Sequence, residues 1–161
     1  MAGLAVESYI DKPEAEKPVD REKTCPLLLR VFCRNGRHNS PEDYSRGNVP
    51  VNESQIYTWM DATLREITCL MKEVNPDARR KGTVFDFSLV APNMGPGPVC
   101  FRMRHIGNTT AGMKGADDSK TLAQCRFMIG DYMDISITSP MRGPPNDRER
   151  GPIRRGPRVP Y

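Results

Sequence analysis

Few side chains in this sequence could make or break bonds. The histidines are His38 and His105, and the cysteines are Cys25, Cys33, Cys69, Cys100 and Cys125. A cysteine nucleophile needs a neighbour that stabilises its thiolate, whereas a single cysteine in an apolar strand is more often an inert core residue. No C-x-x-C pair occurs, and two histidines among scattered acids give no zinc-ligand spacing. The sequence predicts no enzyme, no catalytic residue, no metal site and no cofactor. An odd number of isolated cysteines fits reduced thiols in a cytosolic or nuclear compartment.

Three further groups could bind without catalysing. Asp117-Asp118 beside Lys114-Gly115 follows neither the P-loop nor the calcium-loop pattern and reads as a solvated, glycine-rich turn. Arg79-Arg80-Lys81 stands where a helix ends, and there it complements the helix dipole. Tyr57 and Trp59 flank an amphipathic stripe, where aromatics serve as core residues or as anchors of an interface. These two are the candidate partner-binding residues.

The elements that must position them fit one domain. The chain has 161 residues, and its 15 prolines and 13 glycines gather near the ends and in a few loops, leaving residues 25–138 for a core. Residues 1–24 are charged and poor in apolar side chains, and residues 139–161 hold six prolines and six arginines. Both read as disordered tails, because neither can bury enough surface to offset its ordering entropy. The apolar run from Cys25 to Cys33 before Asn35-Gly36 predicts a buried strand entering a turn, with residues 37–45 as its hairpin partner. Residues 51–75 predict a helix: Ile56, Met60, Leu64, Ile67, Leu70, Met71 and Val74 recur at helical steps, Asn52 and Gln55 suit a cap, and Pro76 ends it. Alternation predicts strands over 83–90, 99–106 and 132–138, with a long mobile loop over 107–119. One helix on one face of a mixed sheet is the economical packing. The expected fold class is therefore α+β, a single ubiquitin-like β-grasp domain.

Charge narrows the partners. Residues 1–24 carry four basic and six acidic side chains, residues 25–138 carry fourteen and twelve, and residues 139–161 carry six and two. A core so near neutrality offers little counter-ion release to a nucleic-acid backbone, so direct RNA binding through the basic C-terminal tail is the alternative function rather than the leading one. No apolar run approaches the roughly 20 residues of a membrane span, and no signal-peptide core is visible. A conjugated ubiquitin-like modifier is disfavoured by the ending Arg158-Val159-Pro160-Tyr161, which is not a diglycine.

The runs Asp20-Arg21-Glu22-Lys23-Thr24-Cys25-Pro26-Leu27-Leu28-Leu29-Arg30-Val31-Phe32, Arg46-Gly47-Asn48-Val49-Pro50, Gln55-Ile56-Tyr57-Thr58-Trp59-Met60-Asp61-Ala62-Thr63-Leu64 and Ile129-Gly130-Asp131, with Asp134-Ile135, resemble the Sin-three-associated 18-kilodalton polypeptide family. The match runs from about residue 20 to 140. The resemblance implies a non-enzymatic ubiquitin-like adaptor. Its implied partners are the Sin-three histone deacetylase corepressor, and Acinus or Pinin with a serine-rich RNA-binding protein in an assembly peripheral to the exon junction complex, so that RNA contact is indirect. It also implies a nuclear location, including nuclear speckles, with the cytoplasm as a further site. Partner binding is expected on the folded domain, at a sheet edge or beside Tyr57 and Trp59, because such contacts combine backbone hydrogen bonds with apolar burial.

Overall fold

A computed structural model of the chain describes residues 18–45 and 48–141. Five strands form one mixed sheet: β1 (Leu27–Asn35), β2 (Glu53–Thr58), β3 (Val84–Pro92), β4 (Phe101–Thr110) and β5 (Tyr132–Thr138). Their spatial order is β2-β1-β5-β3-β4, with β1 and β5 parallel and the other neighbours antiparallel. Two helices accompany the sheet, α1 (Glu42–Ser45) and α2 (Leu64–Val74), and a 3-10 turn, Pro76–Arg79, follows α2. This is the expected α+β, ubiquitin-like β-grasp arrangement. The tails predicted from composition lie largely in residues 1–17 and 142–161, outside the described residues.

The helix predicted over 51–75 is corrected at its start. Residues 53–58 are strand β2, which pairs antiparallel with β1 from Leu27↔Thr58 to Phe32↔Glu53. Ile56 satisfies a helical and a strand pattern alike, so periodicity could not separate the two. Asn52 is no cap, since its carbonyl accepts from the Cys33 N–H in the hairpin. The cap is Thr63, whose hydroxyl accepts from the Glu66 N–H at 3.2 Å, and Thr63-x-x-Glu66 has capping-box spacing. The loop after α2 and β4 supplies the next acceptors, with Leu64 N–H donating to the Lys120 carbonyl and Arg65 N–H to that of Asp118. The helix closes before Pro76 as expected.

The predicted hairpin partner over 37–45 is also corrected, because β2 takes that place and residues 42–45 form α1. Polar side chains and a single aromatic gave 37–45 nothing to extend the alternation, and its contacts lie instead on the far face of the sheet. Strand β4 runs on to Thr110, into the segment read as a loop. A β-bulge at Ile106 of β4, which has no partner between the pairs Phe87↔Gly107 and Ser88↔His105, absorbs the slip in register.

The sheet buries both faces unequally. Leu29 and Val31, Phe85, Phe87 and Leu89, and Met133, Ile135 and Ile137 pack under α2 against Leu64, Ile67 and Met71, with Leu122 and Phe127 closing the layer. On the other face Phe32, Tyr44 and Val90 form a smaller cluster with Phe101, Met103 and Tyr132. Phe32 meets Tyr44 and Tyr132 edge-on, with ring centroids 5.3 and 5.5 Å apart, an arrangement that adds about 0.5–1.5 kcal/mol to burial for each pair.

Candidate functional site

Tyr57 and Trp59 fall at one edge of the sheet, and they are not equivalent there. Tyr57 lies on edge strand β2, is 67% exposed, and stands opposite Leu28 of β1, itself 37% exposed. Trp59, just beyond the strand, is half-buried and in contact with Arg21 and Thr24. Its indole N–H donates to the Thr24 carbonyl at 2.7 Å, and the Arg21 guanidinium sits 5.1 Å from the ring centroid. Arg21 also pairs with Glu66 at 2.9 Å and Asp61 at 3.0 Å. Those hydrogen bonds, first to Glu66 and then to Asp61, raise the Arg21 pKa above its ordinary value. Part of the segment read as an N-terminal tail therefore engages Trp59 within the chain and leaves Tyr57 accessible.

The β2 edge carries a second set of accessible groups. The Cys33 N–H bond to the Asn52 carbonyl fixes the phase of the antiparallel ladder. From that register, the backbones of Ser54, Ile56 and Thr58 bond to β1, while those of Glu53, Gln55 and Tyr57 point outward. Two adjoining grooves run between β2 and α2. One, of about 310 Å³, is lined by Ser54, Gln55, Ile56, Tyr57, Leu70, Met71, Glu73 and Val74. The other, of about 430 Å³, shares Ser54, Met71 and Val74 and continues past Val51, Asn52 and Asn75 to Cys33. On the opposite face Arg30 holds Glu53 through Nη2–Oε2 at 2.9 Å, which lowers the Glu53 pKa.

The residues considered for catalysis do not converge. His38 Nδ1 lies 2.7 Å from Asp134 Oδ1, and His105 Nε2 lies 3.2 Å from Asp86 Oδ1. Cys33 lies instead against Met71, with sulfurs 3.5 Å apart, and burial pushes its thiol pKa up to about 12. Asp117 pairs with Lys120 at 2.8 Å, and that hydrogen bond holds its carboxyl below the usual range. Among the described residues no three His, Cys, Asp or Glu side chains are grouped to hold a metal ion. Native-state alkylation with iodoacetamide followed by mass spectrometry is expected to label exposed Cys25, Cys69 and Cys100 and to spare Cys33 and buried Cys125. Labelling of Cys33 at the rate of Cys69 would contradict this placement.

Sequence reasoning missed a buried carboxylate. Asp134 is fully buried on β5 and accepts from the Tyr44 hydroxyl at 2.5 Å, the Asn39 side-chain amide at 2.7 Å and the Asn39 backbone N–H at 3.3 Å, in addition to its contact with His38. It anchors residues 38–44 to the sheet. Burial, then the hydrogen bond to Asp134, raises the Tyr44 pKa and keeps that hydroxyl a donor.

Comparison with known proteins adds sequence relatives to this geometry. The family described as Sin3 associated polypeptide p18 (SAP18) matches residues 18–137. A Drosophila melanogaster protein named Histone deacetylase complex subunit SAP18 is 58% identical over 148 residues, which cover 91% of this chain and 97% of the relative. A Mus musculus protein of the same name is 56% identical over 155 residues, covering 92% and 99%. An Arabidopsis thaliana protein of that name is 53% identical over 129 residues, covering 78% and 81%.

Proposed function

The chain belongs to the Sin3 associated polypeptide p18 family, and from that membership we propose that it is a non-enzymatic, protein-binding subunit of nuclear complexes. The observation that carries the proposal is identity of 53–58% over most of the chain with relatives named as histone deacetylase complex subunits. In this reading the chain joins a Sin3 histone deacetylase corepressor and contributes to transcriptional repression. A second setting, suggested by the family resemblance, is an assembly of mRNA splicing with Acinus or Pinin and a serine-rich RNA-binding protein. Contact with RNA then passes through these partners, and the chain resides in the nucleus, including nuclear speckles.

The near-neutral core and the exposed Tyr57 beside a strand edge support docking on the folded domain. Affinity purification of the tagged full chain from nuclear extract, with and without nuclease, tests the reading. Histone deacetylase and Acinus-type partners are expected to survive nuclease, and their loss on digestion would favour RNA binding instead. A chain ending at Pro140 is expected to keep most of its partner affinity, with any loss shrinking as salt rises, because exposed charge contacts are screened within about 8 Å at physiological salt. Tyr57→Ala is expected to weaken partner binding by about 2 kcal/mol, roughly thirtyfold in Kd, with little effect on folding. Unchanged affinity in that variant would remove Tyr57 from the site.

A further inference from the structure

We propose that the edge of β2, unpaired among the described residues, receives an extended segment of a partner protein as a sixth strand, with alternate apolar side chains of that segment seated between β2 and α2 and a basic residue beside Glu73. The proposal rests on the adaptor reading and specifies the chemistry of the partner it would take.

Three observations converge on this edge. The outward backbones of Glu53, Gln55 and Tyr57 present donors and acceptors at two-residue spacing, and an extended chain is the complement of that pattern. The helix-side groove beside them has an apolar floor of Ile56, Leu70 and Met71, with Val74, 63% exposed, at its rim. A strand laid on β2 would point every second side chain into that groove. The charged residues lining the two grooves are Glu53 and Glu73, both acidic, and Glu53 is already held by Arg30. An arriving basic side chain therefore finds its complement at Glu73.

The chain's own C-terminal tail is a poor occupant. Its prolines at 144, 145, 152, 157 and 160 lack the amide donors a strand must supply, and the stretch between them, 146–151, holds no apolar side chain. Strand β2 spans six residues, about 20 Å, so a partner stretch of similar length suffices.

Proline scanning separates edge pairing from folding. The Gln55 N–H faces the free edge, so Gln55→Pro removes a donor for the incoming strand and no bond to β1. Val74→Lys places a charge at the groove rim on a side chain already exposed. The tagged full chain and these two variants would be assembled with the Sin3 histone deacetylase complex, and amide exchange compared for the free and assembled chain. Each variant is expected to retain the thermal transition of the parent chain and to be recovered in the complex at a tenth of its level or less. Assembly is expected to slow exchange at Glu53, Gln55 and Tyr57 at least tenfold.

Recovery of Gln55→Pro at the level of the parent, or unchanged exchange at those three amides, would overturn the strand addition and leave the adaptor reading standing. Failure of the parent chain itself to enter the complex would remove the adaptor reading and this inference together. Slow exchange at those amides in the free chain would mean that the edge is already occupied, by residues 1–17 or by a second copy. Sedimentation would distinguish those two, and either overturns the proposal.

Discussion

Asp134→Ala is expected to destabilise the domain by about 3–5 kcal/mol, the summed cost of leaving several buried donors without their acceptor. The carboxylate is fully buried, and deleting it leaves the Tyr44 hydroxyl, the Asn39 amide groups and the His38 ring without their acceptor. A buried donor left unpaired costs about 1–3 kcal/mol, so the losses together reach that range even after partial relaxation. Urea denaturation should show the shift in midpoint. Amide exchange should show residues 38–44 opening first, because their attachment to the sheet runs through this one side chain and the Tyr44 ring. Asp134→Asn keeps the volume and one acceptor oxygen and should lose less. A midpoint unchanged by Asp134→Ala would mean that the hub contributes nothing net to stability.

The importance of Asp134 was hidden in the sequence for a physical reason. Alternation along β5 correctly set Met133, Ile135 and Ile137 against Asp134 and Ser136, and from that pattern the acidic side should face water. It does not, because residues 38–44 cross that face from about ninety positions away in the chain and bring their donors with them. The same crossing explains the misplaced hairpin partner. Local pattern reports which side chains share a face, whereas what covers the face depends on a long-range contact that no spacing rule encodes.

The β2 segment was hidden for the opposite reason, an excess of local signal. Ile56, Met60 and Leu64 continue a helical step backward from a genuine helix, and this absorbed a strand that supplies the accessible edge and Tyr57. Two cues pointed the other way. The run Ile56-Tyr57-Thr58 is β-branched and aromatic, and Thr63-x-x-Glu66 marks a helix start closer to the observed one than Asn52 with Gln55 does. Trp59 shows a further limit, since its nearness to Tyr57 in sequence gave no sign that Arg21 and Thr24 would engage one and not the other.

The corrected helix boundary leads to the second large effect. Leu64 and Ile67 are fully exposed to the core and closed to solvent, Leu64 at the first helical residue and Ile67 one turn on. Replacing either with alanine is expected to cost about 2–5 kcal/mol through lost transfer energy and the remaining cavity. A domain whose total stability is about 5–15 kcal/mol would then stand near its threshold. The pair should not be additive, because the side chains share one wall of the core beneath the same strands. A cap comparison tests the boundary itself. Thr63→Ala should cost about 1 kcal/mol by orphaning the Glu66 N–H, while Asn52→Ala, whose backbone carbonyl makes the observed bond, should cost no cap energy. Equal and negligible midpoint shifts for Leu64→Ala and Ile67→Ala in urea would show that α2 does not support the core, and a larger loss at Asn52 than at Thr63 would return the helix start to residue 52.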